Sequence, residues 1–399
     1  MRLIYFVLPI VANSAVVQLA TRQSPATGGS LASLATPGAL ALASTLLPKK
    51  KAMKIEEIPA KTEHPGAKRI KLVYGPYVLR AANGTQRVGN GISMDKGGTG
   101  YQYMVDDDFP RDITVLETTS RLQDEKFKRA DTKDGIYNHH NVFMDFAPPP
   151  ASAFACSSGQ KPAGLIPMSV LMAGATEDGT ISYAARPGAS FKSGYYLSKD
   201  RKVLNMIDVI NYNDVERTVY VEAEMEFLPG KQEGFLEARQ ERIDPGLCGG
   251  QNGVLIHAPK GQTKFSVNST GVVAARDGYF INQRGHLHDG GIDIILQVND
   301  KTVCDSKAVY GGEGATAKTE DGKVWETISN TLTCTEPVKV SKGDKLFMEA
   351  HYDLDLHPSR KQGGHGSMGG MKRWADVFND GGEAAEQMAL MVTHFAYAP

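Results

Sequence analysis

The sequence is dominated by short runs of alternating and β-branched residues, each closed by turn-forming residues. Such runs begin at Lys68 ("KRIKLVYGPYVL"), Val203 ("VLNMIDVINYN") and Asp344 ("DKLFMEAHYDLD"), and Asn-Asp, Gly-Gly and Pro-Gly signals separate runs of this kind. Strands that recur at this spacing are typical of β-sandwiches and jelly rolls. No convincing long amphipathic helix interrupts them. The pattern predicts an all-β fold of two jelly-roll-like antiparallel β-sandwich domains.

The regular succession of strand-like runs is interrupted between Pro229 and Gly253, in "PGKQEGFLEARQERIDPGLCGGQNG". Clusters of Gly and Pro mark loops and boundaries between elements. We therefore expect a hinge here, with an N-terminal β-sandwich domain over 66–235 and a C-terminal one over 236–399.

The first 65 residues differ from the rest in composition. Residues 1–20 carry an early Arg2, an apolar run and small residues near Ala15 and Ala20, which is the pattern of a secretory signal peptide. Residues 21–65 are rich in Ala, Ser, Thr, Pro and Gly and predict a linker or pro-segment. Lys49-Lys50-Lys51 is either a processing site or a solvated charge cluster. The sequence predicts a secreted protein of the extracellular space or cell wall.

The four cysteines fit secretion, because disulfides persist in oxidising compartments. Cys156, Cys248, Cys304 and Cys334 allow three pairings. We favour Cys304 with Cys334, since both lie in strand-like runs of one region, which leaves Cys156 with Cys248. Two sequons, at Asn83 and Asn268, are candidate glycosylation sites.

The charge balance argues against a nucleic-acid partner. The 399 residues include 44 Lys and Arg against 45 Asp and Glu, a net charge of -1. Bulk electrostatic attachment to nucleic acid or to an acidic membrane needs a basic excess. We expect a monomer without a stable membrane span after signal removal, whose partner is a small-molecule or peptide substrate.

The segment "QRGHLHDGGIDIILQV", from Gln283, contains a His-x-His pair. Residues i and i+2 of a strand point to the same face, so His286 and His288 would present two imidazoles side by side. Such a pair is a half-site for copper, zinc or iron. The alternative is two surface histidines at a strand end.

A second candidate is the adjacent pair His139 and His140 in "GIYNHHNVFMDF". Neighbouring residues of a regular strand face opposite ways. Both imidazoles can therefore reach one metal only at a bulge, a turn or a strand end. The alternative is one buried and one exposed histidine.

In their order along the chain, several segments resemble the SURNod19 (stress up-regulated Nod 19) family. They are "DFPRDITVLETTSRL", "GIYNHHNVFMDF", "VINYNDVERTVYVEAEMEFLPG", "RGHLHDGGIDIILQVNDK" and "GDKLFMEAHYD", and the resemblance runs from about Leu72 to Ala398. Adjacent histidines in a first β domain and His-x-His in a second are also distantly similar to copper type II, ascorbate-dependent (peptidylglycine α-hydroxylating) monooxygenases.

The monooxygenase resemblance implies copper as the cofactor, with one ion in each domain. The second ion would be held by His286, His288 and a Met. We place this Met at Met388, and Met368 is the alternative. A thioether with two imidazoles suits a redox-active copper. The first ion would be held by His139, His140 and a third histidine.

At the position of that third histidine this sequence has Asn211, and an amide is a poor copper ligand. The first site is then absent, two-coordinate or completed by another histidine, for which His257 and His394 are candidates. The resemblance suggests a copper-dependent oxidoreductase or monooxygenase. The alternatives are a non-catalytic extracellular copper-binding protein with a stress-related role and a structural protein without metal.

Overall fold

The computed structural model describes residues 45–358 and 387–399, except 63, 87, 92, 94–96, 147–151, 164–167, 176–178, 250–254, 313–314 and 319–323. The predicted signal peptide, most of the predicted linker, and Met368 lie outside the described residues. Within the described ranges the chain forms 26 β-strands and a short 3-10 helix at Thr132–Asp134, so the all-β prediction is confirmed.

The strands of the first half are β1 (Lys49–Lys50), β2 (Lys54–Ile58), β3 (Lys68–Leu79), β4 (Gly98–Val105), β5 (Ile113–Gln123), β6 (Ile136–Asp145), β7 (Phe154–Cys156), β8 (Ser169–Gly174), β9 (Thr180–Ser182), β10 (Lys192–Leu197), β11 (Val203–Asn211), β12 (Arg217–Pro229) and β13 (Phe235–Ile243). Those of the second half are β14 (Leu255–Ile256), β15 (Lys264–Asn268), β16 (Val272–Ala274), β17 (Gly278–Leu287), β18 (Gly291–Val298), β19 (Lys301–Tyr310), β20 (Thr316–Lys318), β21 (Val324–Glu326), β22 (Ile328–Thr331), β23 (Thr333–Cys334), β24 (Val338–Val340), β25 (Lys345–Asp353) and β26 (Gln387–Tyr397).

Two sandwich units form around two hydrophobic cores. In the first unit the five-stranded sheet β1-β4-β11-β6-β8 packs on the part of a large sheet ordered β2-β3-β12-β5-β10. In the second unit a seven-stranded sheet, ordered β22-β19-β18-β25-β16-β7 with β15 also paired to β25, packs on the continuation β13-β26-β17-β23 of that same large sheet. One sheet therefore runs through both units.

The expected hinge contains a strand. β13 pairs in parallel with β10 of the first unit and antiparallel with β26 of the second. Residues 235–237 pair with β10 and residues 238–243 pair with β26, so the whole strand has backbone partners despite the Gly and Pro signals that flank it. The boundary at 235/236 lies inside the large sheet. In addition, β7 falls within the expected first domain but pairs with β16 of the second unit.

The expected linker is also partly structured. β1 pairs with β4 and β2 pairs with β3, so residues 49–58 extend the edges of two sheets. The ammonium group of Lys50 lies 4.2 Å from the ring centroid of Tyr77. Partial burial lowers the pKa of Lys50. Lys50 is thus packed against an aromatic ring, while Lys49 and Lys51 are exposed.

Both favoured disulfides are present. Cys156 bonds Cys248 and Cys304 bonds Cys334, with Cα–Cα distances of 5.4 Å and 5.7 Å. Asn83 and Asn268 are both exposed. None of the helices in the described ranges is long and apolar enough to span a membrane. The two disulfides are consistent with an extracellular protein.

Strand β17 connects the units along its length. Near its start, the ring of Tyr279 stacks on that of Phe191 at 4.2 Å between centroids. Further along, the Asn282 side-chain amide donates to the carbonyl of Ser182 at 2.6 Å. Phe280 enters the second core and the next residue, Ile281, enters the first, because neighbouring residues of a strand face opposite ways. The end of this strand therefore lies against the first unit.

Candidate metal site between the two units

The two histidine pairs meet where the end of β17 faces β6. Ring centroids are 6.0 Å apart for His139 and His288, and 6.2 Å apart for His140 and His286. Within each pair the separations are 4.1 Å for His139–His140 and 5.8 Å for His286–His288. The four imidazoles thus form one cluster with two rings from each unit. The resemblance implied one histidine pair for each of two ions.

A β-bulge turns the first pair to one face of its sheet. Asp208 of β11 lies opposite His140, whereas the next residue, Val209, lies opposite Asn138. His139 is the extra residue between them. An extra residue in one strand redirects a side chain that regular alternation would send to the other face. The bulge that adjacent histidines require for a shared site is therefore present at His139.

Asp208 belongs to the same cluster. One nitrogen or oxygen atom from each of His139, His140 and Asp208 lies within 4.8 Å of the others. The Asp208 Oδ2 is 3.3 Å from His139 Nδ1, and the Ser93 hydroxyl donates to Asp208 Oδ1 at 2.5 Å. A carboxylate on one imidazole nitrogen fixes the ring so that the other nitrogen is directed to a metal.

The sequence reasoning did not identify Asp208. The signal was available, because Asp208 is the one acidic residue in the apolar strand "VLNMIDVIN". An ionised side chain in a buried strand needs a charged or hydrogen-bonded partner. Asp208 is 6 % exposed and has such partners in His139 and Ser93.

His286 and His288 occupy alternate positions at the end of β17, as the spacing predicted. The Nε2 atoms of both rings are buried. A turn follows at once, in which the His288 carbonyl accepts from the Gly291 amide at 3.1 Å. Gly290 has φ +97°, and a Cβ there would lie 2.3 Å from a Leu354 side-chain carbon. The Gly-Gly pair after the histidines therefore permits the tight turn that ends the strand beside β6.

Met388 lies on the neighbouring strand. Leu287 pairs with Ala389, and the His288 amide donates to the Met388 carbonyl at 3.4 Å, so the register places Met388 opposite His288. Opposite residues of antiparallel strands share a face. Met388 is 7 % exposed and belongs to neither hydrophobic core cluster.

Asn211 has a structural role in the first unit. Its side-chain amide donates to the carbonyls of Arg80 and Val215, and its Oδ1 accepts from Asn213. These contacts account for a polar residue that is 1 % exposed at the end of β11.

The two other candidate histidines have different surroundings. His257 is exposed. The Nδ1 of His394 lies 2.5 Å from Asn282 Oδ1, and its ring packs edge-on against Tyr183. Burial, followed by the charge of Arg284, lowers the pKa of His394 to about 3. His394 is therefore a neutral residue of the interface between units.

A small cavity adjoins the histidine cluster. Its volume is about 10 Å³ and its lining comes from both units: Tyr137, His139, Ala175, His286, Leu287, His288, Asp289, Thr327 and Ile328. A volume of ~10–15 Å³ is what one water molecule requires. The cluster thus has a space beside it large enough for a molecule of that size.

Comparison with known proteins gives a family match over part of the chain and several distant structural likenesses. The structure titled "Structure of PNGF-II in P21 space group" has a TM-score of 0.34 and 9% identity, and the match covers 82% of this chain and 65% of that one, less than two thirds of its length. The structure of peptide-N(4)-(N-acetyl-beta-D-glucosaminyl) asparagine amidase has a TM-score of 0.35 and 7% identity, covering 84% of this chain and 97% of that one. Likenesses of this size carry no argument about activity.

A search of curated protein sequences gave no significant match. The family model of SURNod19, stress up-regulated Nod 19, matches residues 256–369. This range contains His286, His288 and the Cys304–Cys334 disulfide, while His139 and His140 lie before it and Met388 after it. The resemblance noted in the sequence is thus confirmed over residues 256–369, which are similar to the SURNod19 family.

Proposed function

We propose that the protein is a secreted copper-binding protein whose site joins the two sandwich units. The observation that carries the proposal is the convergence of four imidazoles from two separate segments in one half-buried cluster. Imidazole is the commonest protein ligand of copper and zinc. Packing alone does not require two histidine pairs that are distant in sequence to converge beside a carboxylate.

The donor set fits copper. Ligand atoms of His139 and His140 lie within 4.8 Å of each other and of an Asp208 oxygen, so both rings can bind one ion, with metal–nitrogen bonds of about 2.0–2.1 Å, while Asp208 orients His139. Four imidazoles favour Cu(II), and a thioether at Met388 would favour Cu(I). Copper in such a site would supply one-electron redox chemistry. The more specific proposal is therefore that the copper-binding protein is an oxidoreductase.

The protein's own residues would bind the ion and hold its ligands in place. His286 and His288 present two nitrogens from a regular strand end, His140 lies opposite Asp208, and the bulge brings His139 to the same face. Both Nε2 atoms of the second pair are buried, so these two nitrogens are shielded from bulk water although their rings are half-buried.

The test is metal content of the purified secreted protein, followed by a copper titration monitored by calorimetry. We expect one copper per chain in the wild type and loss of that copper in His286→Ala. The matched control is His257→Ala, an exposed histidine. Two coppers per chain, or full copper in His286→Ala, would contradict the single shared site.

Oxygen consumption distinguishes an oxidoreductase from a non-catalytic copper-binding protein. Reductant-dependent oxygen consumption by the copper-loaded protein, absent in His286→Ala, would support an oxidoreductase. Copper bound tightly without oxygen consumption would instead indicate a non-catalytic copper-binding protein. A protein that holds no metal and shows no change of melting temperature with copper would leave only the structural function.

A further inference from the structure

Two buried asparagines bracket the first histidine pair, in "NHHN" at residues 138–141. Asn138 is 6 % exposed and Asn141 is fully buried. On the neighbouring strand β11, Val209 lies opposite Asn138 and Ile207 lies opposite Asn141, and both are residues of the first hydrophobic core. Opposite residues of antiparallel strands share a face, so both asparagines face the interior of the first unit.

The orientation of the two asparagines requires an irregular strand between them. Residues on one face of a regular strand are separated by an even number of positions, whereas Asn138 and Asn141 are three apart. Their partners Val209 and Ile207 are two apart. With both asparagines on the interior face, β6 must therefore carry its extra residue between them, where the two histidines lie.

Hydrogen bonds hold both asparagines in the interior. The Asn141 side-chain amide donates to the Ser120 hydroxyl at 2.6 Å, and its Oδ1 accepts from Asn205 Nδ2 at 3.0 Å. The Asn138 side-chain amide donates to the Ala175 carbonyl at 3.3 Å. A one-residue slip of β6 on either side of the histidines would send the slipped side chains to the other face and break these contacts. A buried amide without partners costs free energy, so the contacts oppose the slip.

We propose that Asn138 and Asn141 are positioning residues that confine the bulge of β6 to the first histidine pair. The inference rests on the proposed function, because the bulge is what lets both imidazoles reach one ion. Ile136 and Phe143 are also buried in the first core and seven positions apart, so they too require an extra residue between them, but they leave its place open. The asparagines restrict that place to 139–140.

The test measures copper binding in Asn138→Leu, Asn141→Leu and the double variant, which lose the hydrogen bonds and keep side chains of similar size. A bulge that can move along β6 leaves the two imidazoles on opposite faces part of the time. We therefore expect the double variant to bind copper about tenfold more weakly, a loss typical of removing a residue that orients a metal ligand. The nitrogen hyperfine lines of its Cu(II) EPR spectrum should indicate fewer bound nitrogens than in the wild type.

The matched control is Thr118→Val, which removes a different buried hydrogen bond of the same unit, from the Thr118 hydroxyl to the Leu171 carbonyl. It should keep the wild-type copper affinity. Ser120→Ala is a milder variant, since it removes only the acceptor of the Asn141 amide, and it should weaken copper binding in the same direction. Wild-type affinity in the folded double variant, or an equal loss in Thr118→Val, would overturn the inference.

The bulge can also be followed without metal, which separates this inference from the proposed function. In the metal-free protein, amide hydrogen exchange over 137–142 should be faster in the double variant than in the wild type, and unchanged in Thr118→Val. A wild type that holds no copper but shows this difference contradicts the proposed function and keeps the positioning role. Exchange at the wild-type rate in the double variant overturns the inference whatever the metal content.

Discussion

The rings of His139 and His288 lie 6.0 Å apart, although one belongs to β6 of the first sandwich unit and the other follows β17 of the second. His140 and His286 repeat this relationship at 6.2 Å. A metal held by these residues would cross-link the two units. Metal binding by the histidines of one unit would then depend on the histidines of the other unit.

Single substitutions in the two units should therefore affect the same copper ion. We expect His139→Ala and His286→Ala each to abolish high-affinity copper binding, and the double variant to lose little more. When two residues bind the same ion, the effects of their substitutions on affinity do not add in a double-mutant cycle. Calorimetric titration of the four proteins measures the coupling. Additive losses, with one copper left in each single variant, would show two independent sites.

Asp208→Asn should weaken copper binding by about 10–100-fold, the usual cost of losing a carboxylate that orients a metal-ligating histidine. Ser93→Ala should have a smaller effect in the same direction, because Ser93 reaches the site only through Asp208. Competition with a chelator of known affinity gives both values. The control is Asp293→Asn in β18, whose carboxylate lies 2.6 Å from His351 of β25, a histidine outside the cluster. Equal weakening in this control would remove the special role of Asp208.

Met388→Leu should lower the affinity for Cu(I) more than that for Cu(II), since a thioether is a soft ligand that prefers Cu(I). Leu and Met have similar volumes, so the stability should change by less than about 1.5 kcal/mol. Met391→Leu is the matched control, because Met391 is fully buried in the second hydrophobic core. If Cu(I) affinity is the same in both variants, Met388 is a packing residue.

Removing the metal should lower the stability of the connection between the units. Copper at 100 times its dissociation constant adds about 2.7 kcal/mol to the free energy of unfolding. We expect a chelator to lower the melting temperature by a few degrees and to speed amide hydrogen exchange at the ends of β6 and β17. His140→Ala should show no further change with chelator. A chelator effect of equal size in that variant would point to a site elsewhere.

His394 should make the protein sensitive to acid. Its pKa is about 3 in the folded protein against 6.5 as the ordinary value, so between these limits the unfolded chain binds a proton that the folded protein does not. Stability is full above pH 6.5 and falls as the pH drops, by about 1.4 kcal/mol per unit from this group.

The measurement is urea unfolding at pH 7, 6 and 5 for the wild type and His394→Asn, in which an amide can still donate to Asn282. We expect the variant to be less stable at pH 7 but to lose less stability on acidification. His257→Asn should retain the wild-type slope. Parallel slopes for wild type and His394→Asn would show that His394 does not carry the effect.

The strands were accessible to sequence reasoning because local pattern determines them, whereas the disulfide pairing followed from placing Cys304 and Cys334 in one region. The run "KRIKLVYGPYVL" coincides with β3 at Lys68–Leu79, and Asn299 and Asp300 both have positive φ in the two-residue turn between β18 and β19. A backbone that needs φ > 0 twice in succession selects Asn and Asp over most residues.

The relationship between the units was not accessible, since it depends on pairing between distant segments. Nothing local in "FLEARQERI" shows that β13 bridges β10 and β26. The same holds for the site: each histidine pair was visible, but their convergence and the contribution of Asp208 follow from the tertiary fold.

The bulge at His139 has a consequence for how such sites change over time. On a regular strand two ligands must be separated by one residue, as His286 and His288 are, whereas the bulge lets two directly adjacent codons supply both. A one-residue insertion or deletion in β6 would therefore rebuild or destroy half of the cluster without altering a single histidine. Relatives of this protein are better compared by the count of residues between Asn138 and Asn141 than by the presence of histidines alone.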